Sequence, residues 1–344
     1  MTTKIVGVLL IGGKGERFWP RSRRGMPKQF LPIASEKPML IDTLERIRPL
    51  AARTIAVAGA DLAEQARAVA AEYGAAEMEL ILEPSGRSTA PALGLAAIAC
   101  APDDIIVALP SDHHIPDPEK FRGVISSAAS IAARKNGIVC IGIAPTRPET
   151  GYGYIRPGDP LDGPGFRIAS FVEKPPPQRA ARLIEEGALW NGGIFVVRAG
   201  VYLDLVARYI PDLAKVLAEM KQSGKSTIFT AAPSISVDHG ILEHCSESFV
   251  VRGDFPWDDV GDWGAMARVY GKDSSGNSVR GRFVGFETKG LIIDSDAGLV
   301  AAVGVEDLAI IRNGDVVLVV KRGMEQNVRE LLAQMKTEEL KEFR

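Results

Sequence analysis

Glycines and cations follow the first apolar run of this 344-residue chain in an order that suits phosphate binding. Glycine has no Cβ, so the backbone N–H groups of a glycine-rich turn can approach phosphate oxygens, while arginine and lysine neutralise their charge. The turn is not a dinucleotide fingerprint, because Phe18 stands where the third glycine of that motif is needed. The residues that carry this prediction are Gly12, Gly13, Gly15, Arg17 and Lys28.

A carboxylate follows another apolar run and could hold a divalent cation against phosphate oxygens. Asp112 comes just after Ile105–Leu109, at the expected carboxyl end of a strand, where open α/β sheets bind ligands. A second carboxylate is expected from the segment Phe255–Trp263, and the sequence does not decide which acid points inward. The candidates in that segment are Asp258, Asp259 and Asp262.

A third group of residues suits a phosphorylated sugar. Glu173 and Asn191 are of the types that hydrogen-bond vicinal hydroxyls, and Lys174 can neutralise a sugar phosphate. Gly153 permits close approach of the backbone. The histidines and cysteines offer no obvious nucleophile and base, so covalent catalysis is not favoured.

Composition excludes several classes of protein. Forty-one Lys plus Arg against 43 Asp plus Glu give a net charge of −2, which argues against a nucleic-acid platform. Three cysteines without a CxxC pair predict neither a disulfide framework nor a zinc finger, and they favour a reducing, cytoplasmic setting. No apolar run reaches the 18 or more residues typical of a membrane span, so we expect no membrane partner.

Alternation of apolar runs with longer amphipathic segments predicts an α/β fold with a mainly parallel mixed sheet. The middle of the chain can extend this sheet, and its last helix is predicted over Val201–Met220. Five short β runs after residue 271 predict a small β-helix-like domain, closed by a charged helix over Met324–Phe343. We therefore divide the chain into domains 1–271 and 272–344. The strands predicted in the first 150 residues are Ile5–Ile11, Thr54–Ala58, Glu79–Leu82, Ile105–Leu109 and Gly137–Ile143. The helices predicted between them are Pro38–Arg48, Asp61–Tyr73, Thr89–Cys100 and Pro118–Lys135.

Seven segments resemble the nucleotide-sugar pyrophosphorylase family in order and spacing, from about residue 4 to residue 270. They are GGKGERFWPRSRRGMPKQFLPI, EPSGRSTAPA, LPSDHHI, ETGYGYI, FVEKP, LWNGGIF and FPWDDVGDW. The resemblance implies a Rossmann-like nucleotidyltransferase domain followed by a small left-handed β-helix. It also implies Mg²⁺-dependent transfer of GMP from GTP to mannose 1-phosphate, which yields GDP-mannose and pyrophosphate without a covalent intermediate. A homodimer is compatible with it, and the sequence does not decide the oligomeric state.

The same resemblance implies roles for individual residues. The glycines and Arg17 hold the triphosphate, Lys28 contacts the α-phosphate, and the Mg²⁺ ligands are Asp112 and Asp259. The block that the family associates with guanine departs from its usual Arg-Asn-Thr-Ala-Pro in having Ser88 in place of asparagine. The residues implied for the base are Glu83, Arg87, Thr89 and Ala90; those implied for the sugar phosphate are Gly153, Glu173, Lys174 and Asn191.

Three alternatives remain open at this point. One is a sister pyrophosphorylase for another base or sugar, and the second is a regulatory subunit that binds nucleotide sugar without turnover. The third is a glycosyltransferase with an Asp-x-Asp metal motif. Asp294-Ser295-Asp296 matches that motif but lies in the short β tail, where a turn is the simpler interpretation.

Overall fold

The structure, a computed structural model, describes residues 4–13, 15–23, 25–335, 340 and 343. The chain forms two compact units. The first comprises the described residues of Met1–Gly12, Thr43–Ser111 and Ile115–Trp257. The second comprises those of Gly13–Asp42, Asp112–His114 and Asp258–Arg344.

A nine-stranded mixed sheet forms the centre of the first unit, with the strand order β3-β2-β1-β4-β8-β5-β9-β7-β6. Its first four strands are mutually parallel, and β8 then runs antiparallel to both β4 and β5. The strands are β1 (Ile5–Ile11), β2 (Arg53–Gly59), β3 (Glu79–Glu83), β4 (Ile105–Pro110), β5 (Ile138–Ile143), β6 (Tyr154–Pro160), β7 (Gly165–Val172), β8 (Leu189–Arg198) and β9 (Ser248–Gly253).

The apolar runs of the sequence correctly predict β1, β2 and β4, because these strands are buried on both faces. In β1, six of the seven residues are buried, and the strand lies between β2 and β4. Leu10 is paired with Pro110 of β4, so β1 and β4 end at the same edge of the sheet. The residues that follow these two strands therefore start from neighbouring positions.

Helices accompany the sheet strands at nearly the predicted positions. The prediction of one helix over Val201–Met220 is wrong, because the chain forms two helices that meet at Ile210. Pro211 has no N–H to donate and disfavours helical backbone at the residue before it. The helices are α1 (Met39–Ile47), α2 (Ala63–Glu72), α3 (Thr89–Ile98), α4 (Pro118–Arg134), α5 (Pro177–Glu185), α6 (Ala199–Tyr209) and α7 (Pro211–Ser223).

Two strands of the nine-stranded sheet were not expected. The segment around Gly151–Gly165 reads as turns because it is rich in glycine and proline, yet it contains β6, which pairs with β7 and β8. Strand β9 pairs in parallel with β5. Pairing with established neighbours therefore outweighs the weak strand propensity of β6.

The second unit contains short β-strands in two sheets. One has the order β10-β12-β14-β15 and the other consists of β11 and β13; all pairs are parallel except β14 with β15. This repetition of short parallel strands is the β-helix-like arrangement that the sequence predicts. The strands are β10 (Ser278–Arg280), β11 (Phe283–Phe286), β12 (Ile292–Ser295), β13 (Val300–Val303), β14 (Leu308–Asn313) and β15 (Val316–Lys321).

Helices of the second unit are short. The four-residue α8 (Met266–Val269) precedes the strands, and α9 (Val328–Gln334) follows a 3-10 turn over Glu325–Asn327. The predicted terminal helix, Met324–Phe343, is thus confirmed over Val328–Gln334. Most of its residues beyond 335 lie outside the described part of the chain.

Each unit has its own apolar core. In the first unit, the core joins sheet residues such as Val8 and Phe195 to the helical Tyr202. In the second, Phe18, Trp263 and Val328 bring residues from distant parts of the sequence into one cluster. Residues early in the chain thus pack with the C-terminal strands and α9.

Two further findings concern membrane helices and cysteines in the described residues. Among them, no helix is long and apolar enough to cross a membrane. All three cysteines are buried free thiols.

Candidate active site

The predicted site residues fall into two groups, one in each compact unit. The second unit contains Gly13, Gly15, Arg17, Lys28, Asp112 and Asp259. The first contains Gly12, Glu83, Arg87, Thr89, Ala90, Gly153, Glu173, Lys174 and Asn191.

The glycine turn after β1 has the backbone conformation for which glycine is suited. Gly13 and Gly15 have φ values of 87° and 61°, in the left-handed region. A Cβ added at Gly15 would lie 2.9 Å from the backbone nitrogen of Lys28. Gly15 therefore allows the turn to pack directly against Lys28.

Lys28 is the centre of a group of oxygen atoms in the second unit. It is 6% exposed, and its Nζ lies 3.0 Å from Asp112 Oδ2. The same ammonium donates to the carbonyl oxygens of Asp259 at 3.0 Å and Val260 at 2.6 Å. A buried cation is thereby held by one carboxylate and two backbone dipoles.

Asp112 is held in place by its ion pair with Lys28 and by backbone hydrogen bonds of the nearby His114. Although burial raises the pKa of this carboxyl, the charges of Lys28 and His113 outweigh burial and lower the pKa below its ordinary value. Next along the chain, His114 exchanges two backbone hydrogen bonds with Asp258, at 2.9 and 3.0 Å. This pairing brings the segment that contains Asp112 beside the segment that contains Asp259.

The three acids of the segment after Trp257 have different surroundings. Asp258 accepts two hydrogen bonds from the guanidinium of Arg268 and one from the Val260 N–H. Asp262 caps a 3-10 turn by accepting from the Gly264 N–H at 2.9 Å. Asp258 and Asp262 thus have structural roles, and Asp259 remains the ligand candidate that the sequence resemblance implies.

Val260, next to Asp259, has a strained backbone. Its φ of 50° is unusual for a β-branched residue. The carbonyl of this same residue accepts a hydrogen bond from Lys28 Nζ at 2.6 Å. Strain of this kind persists where the surroundings fix the backbone, and it is frequent at functional sites.

The oxygens around Lys28 are suitable ligands for a hard cation. Carboxylate and carbonyl oxygens are what Mg²⁺ prefers, and it commonly uses one or two carboxylates together with water and substrate phosphates. In the part of the chain that the structure describes, no cluster of three or more His, Cys, Asp or Glu could hold a metal by itself. Of the two predicted Mg²⁺ ligands, Asp112 contributes its carboxylate to this group of oxygens, and Asp259 contributes its backbone carbonyl.

The Asp-x-Asp sequence of the tail has a structural role. Asp294 lies in β12 and is 1% exposed. Its carboxylate accepts hydrogen bonds from Arg21 and from the Tyr270 hydroxyl. The expected turn is therefore wrong for Asp294, and the carboxylate is part of a buried ion pair.

In the first unit, the chain folds back to bring Gly153, Glu173 and Asn191 together. A Cβ added at Gly153 would lie 2.7 Å from Glu173 Oε2, and the Gly153 carbonyl accepts from the Asn191 N–H at 2.8 Å. Glu173 is paired with Lys174 at 2.7 Å. The structure therefore assembles the four residues that the sequence places in a sugar-phosphate site.

A residue that sequence reasoning missed completes this group. Asp238 accepts a hydrogen bond from Asn191 Nδ2 at 2.6 Å. Burial, and next the charge of Glu173, raises the pKa of Asp238 to about 6. Asp238 lies in a π-helical turn over Asp238–Leu242, for which the sequence has no periodic signal.

Aromatic rings pack beside the same segments. Tyr152 and Trp257 contact each other and Trp190, with ring centroids 5.2 to 6.3 Å apart. The guanidinium of Arg147 lies 5.1 Å from the centre of the Trp190 ring. Since Tyr152 precedes Gly153 and Trp190 precedes Asn191, this packing fixes the backbone that carries the polar residues.

Glu83 is an unusual buried acid at the end of β3. It is 7% exposed, and its Oε1 has no hydrogen-bond partner among the described residues. Burial raises its pKa to about 7, against a smaller opposing effect of the Arg87 backbone N–H. A buried polar atom without a partner is costly and suggests a ligand contact.

The block after Glu83 is fixed by the segment 235–237. The Ala90 N–H donates to the Ile235 carbonyl, and Thr89 Oγ1 accepts from the Val237 N–H at 3.0 Å. Arg87 donates to the Thr230 carbonyl. Ser88, the departure from the family pattern, has a φ of 70° and a ψ of −175°, a backbone region that is essentially restricted to glycine.

Comparison with known proteins agrees with this arrangement. Residues 6–275 match the nucleotidyl transferase family, and residues 281–335 match the MannoseP isomerase/GMP-like beta-helix domain. A mannose-1-phosphate guanylyltransferase of Escherichia coli K12 is 33% identical over 99% of this chain and 76% of its own length. One from Salmonella montevideo is 35% identical over 97% and 74%.

A solved structure is similar over almost the whole chain. It is described as a mannose-1-phosphate geranyltransferase from Thermus thermophilus and has a TM-score of 0.91. The two sequences are 37% identical, and the match covers 97% of this chain and all of the other.

Proposed function

This chain belongs to the nucleotidyl transferase family, and we propose that it transfers GMP from GTP to mannose 1-phosphate, forming GDP-mannose and pyrophosphate. It is a nucleotidyltransferase by family, and its relatives from E. coli and S. montevideo carry the name of this reaction. The observation that carries the proposal is the position of Lys28, a buried ammonium beside Asp112 and the Asp259 carbonyl.

The phosphate-binding roles follow from charge and backbone freedom. In this proposal, the N–H groups of the turn and Arg17 hold the triphosphate, and Lys28 contacts the α-phosphate. Lys28 is already desolvated and oriented, so little reorganisation is needed when negative charge develops there. The glycines concerned are Gly12, Gly13 and Gly15.

The reaction needs positioning more than proton transfer. A phosphate oxygen of mannose 1-phosphate, anionic at neutral pH, forms a bond to the α-phosphorus of GTP. The bond from this phosphorus to the bridging oxygen breaks on the opposite side, and its electron pair leaves with pyrophosphate. Because the attacking oxygen is already anionic, no general base is required. Lys28 stabilises charge on the α-phosphate, and Arg17 stabilises charge on the leaving group.

We assign Asp112 and Asp259 as the residues that hold Mg²⁺. When bound, the ion would neutralise phosphate charge as a Lewis acid. Asp112 is already bonded to the Lys28 ammonium. In this proposal Asp112 would hold the cation while it also pairs with Lys28, and Asp259 would supply the second carboxylate.

The first unit supplies recognition in this proposal. Gly153, Glu173 and Asn191 bind the hydroxyl groups of the sugar, and Lys174 binds its phosphate. Glu83, whose Oε1 is buried without a partner among the described residues, accepts from N–H groups of the guanine. The remaining residues assigned to the base are Arg87, Thr89 and Ala90.

We propose a domain boundary between residues 271 and 272. The two family matches support it, because the first ends at residue 275 and the second begins at residue 281. The three free cysteines support a reducing, cytoplasmic setting. A homodimer is the oligomeric state that we propose for testing.

The test is pyrophosphate release by purified protein with Mg²⁺, GTP and mannose 1-phosphate. Parallel reactions contain ATP or UTP in place of GTP, and glucose 1-phosphate in place of mannose 1-phosphate. We expect fast release with GTP and mannose 1-phosphate, and its loss when EDTA removes the cation. Release with another pair only would instead assign a sister enzyme. Binding of GDP-mannose without release from any pair would identify a regulatory subunit.

A further inference from the structure

The side chain of Gln326 lies between Arg17 of the candidate site and Asp262, which caps a turn in the same unit. Arg17 Nη1 donates to Gln326 Oε1 at 2.8 Å, and Gln326 Nε2 donates to Asp262 Oδ2 at 2.6 Å. A guanidinium can only donate and a carboxylate can only accept, so these partners fix the orientation of the amide. Gln326 thus connects two residues that are 245 positions apart in the sequence.

Asp262 belongs to the segment whose backbone carbonyls contact Lys28. Its other oxygen, Oδ1, accepts from the Gly264 N–H at 2.9 Å and caps the turn there. Three and two residues before it lie Asp259 and Val260, whose carbonyls accept from Lys28. Gln326 therefore ties Arg17 to the same segment of backbone that orients Lys28.

The position of Gln326 is itself well anchored. The neighbouring Glu325 is 5% exposed and accepts from the Gly323 N–H at 2.7 Å. On the other side, Val328 and Leu332 of α9 are buried in the core that contains Phe18. The tail thus holds the amide at a fixed distance from Arg17, which lies next to Phe18.

An amide differs from a carboxylate in what it does to an arginine. It accepts a hydrogen bond without neutralising the guanidinium, which retains its full charge and four further N–H donors. A carboxylate at the same place would compete with phosphate for the arginine. A neutral acceptor is thus the suitable partner for an arginine that must bind a phosphate.

We propose that Gln326 is a positioning residue that orients Arg17 toward the triphosphate of GTP. The inference rests on the proposed function, since it takes the role of Arg17 from there. It gives the C-terminal β-helix-like domain a part in nucleotide binding.

Two substitutions separate orientation from charge. Gln326→Met keeps the length of the side chain and removes both hydrogen bonds. Gln326→Glu keeps an acceptor for Arg17, but it adds a negative charge and loses the donor to Asp262. Arg329→Ala is the control, because Arg329 lies on α9, just after Gln326, and forms an ion pair with Glu16 at 3.9 Å.

We expect Gln326→Met to raise KM for GTP about threefold to tenfold, the effect of one exposed hydrogen-bond network, with KM for mannose 1-phosphate within about twofold of wild type. Gln326→Glu should raise KM for GTP further at low salt, and added salt should reduce the difference between the two variants. Arg329→Ala should leave KM for GTP within about twofold of wild type.

Direct binding of a fluorescent GTP analogue separates this inference from the proposed function. Weaker binding by both Gln326 variants would support the inference even if the wild type released no pyrophosphate. Unchanged GTP binding and unchanged KM in both variants would overturn it. Equal losses for GTP and mannose 1-phosphate, together with a lower Tm, would also overturn it, since they indicate a purely structural role.

Discussion

Asn191 donates from its side-chain amide to the carboxylate of Asp238 at 2.6 Å. Its own side-chain oxygen accepts from the Gly193 N–H at 3.2 Å. Opposite partners therefore fix both ends of the amide. If Asn191 binds the sugar, as we propose, then Asp238 sets which edge of that amide faces the substrate.

Substitution of Asp238 should weaken sugar binding selectively. In Asp238→Ala the amide of Asn191 can rotate, so we expect KM for mannose 1-phosphate to rise about tenfold or more, the scale of a hydrogen bond to a charged group. KM for GTP should change much less. Initial rates with each substrate varied in turn measure both constants. Asp212→Ala, on the exposed surface of α7, is the control, and equal effects of the two substitutions would contradict the assignment.

The stability of the protein should depend on pH through Glu83. Burial raises its pKa from 4.5 to about 7, so the folded chain binds this proton more tightly than the unfolded chain. The contribution of Glu83 to the free energy of unfolding therefore falls as pH rises from about 4.5 to about 7, by roughly 3 kcal/mol in total. Glu83→Gln removes the titration. The variant should gain stability relative to wild type as pH rises across this range.

Urea unfolding of both proteins at pH 5 and pH 8 measures this difference. Glu72→Gln, an exposed glutamate of the same unit, shows the general effect of removing one carboxylate. If the stability difference between Glu83→Gln and wild type is the same at both pH values, burial does not raise the pKa of Glu83.

The strands whose apolar residues are consecutive could be predicted from the sequence, whereas those that depend on partners could not. Strand β1 is identified by Ile5–Ile11 alone, since burial on both faces leaves a continuous apolar run. Strand β6 contains Pro157 and Gly158 and resembles a turn until β7 and β8 are placed beside it. The local sequence therefore identifies β1, but it does not identify β6, which depends on its pairing with other strands.

Substitution of Lys28 should affect chemistry more than binding. Lys28→Met removes the ammonium that faces the α-phosphate in our assignment, so kcat should fall on the order of 10²-fold or more. Asp112→Asn should show a loss of similar size. Steady-state rates at saturating substrates provide the measurement, with Lys225→Met, an exposed lysine, as the control. Nearly full activity of Lys28→Met with an unchanged KM would remove Lys28 from the mechanism.

Lys28 and Asp112 should also be coupled in stability. Loss of Lys28 leaves Asp112 and two carbonyls without their shared donor, which should cost roughly 1–3 kcal/mol. In the double variant Lys28→Met/Asp112→Asn, no carboxylate is left unpaired. Its loss of stability should therefore be smaller than the sum of the single losses by about 1 kcal/mol. Strict additivity in a denaturant double-mutant cycle would show that the contact contributes nothing.

The site could be predicted as far as residue types and strand ends indicate it. Asp112 follows β4 and the glycine turn follows β1, so the general rule for open α/β sheets indicates both as candidate ligand-binding positions. The structural role of Asp258 needed its contact with Arg268, which no spacing reveals. Asp238 and Gln326 act through side chains that meet their partners only after folding, and each belongs to a segment without a recognisable motif.

Two glycines of the turn should respond differently to alanine. Gly15 has a left-handed φ of 61°, and an added Cβ would lie 2.9 Å from the Lys28 nitrogen, so Gly15→Ala should cost about 1–2 kcal/mol or more of stability. At Gly12 an added Cβ meets no described atom within 4 Å, so Gly12→Ala should leave the free energy of unfolding nearly unchanged. It should still raise KM for GTP, because the new methyl group occupies the path by which a phosphate approaches the backbone. Thermal unfolding and GTP titration of the two variants test this contrast. A Gly12→Ala variant with normal stability and normal KM for GTP would remove Gly12 from the phosphate-binding turn.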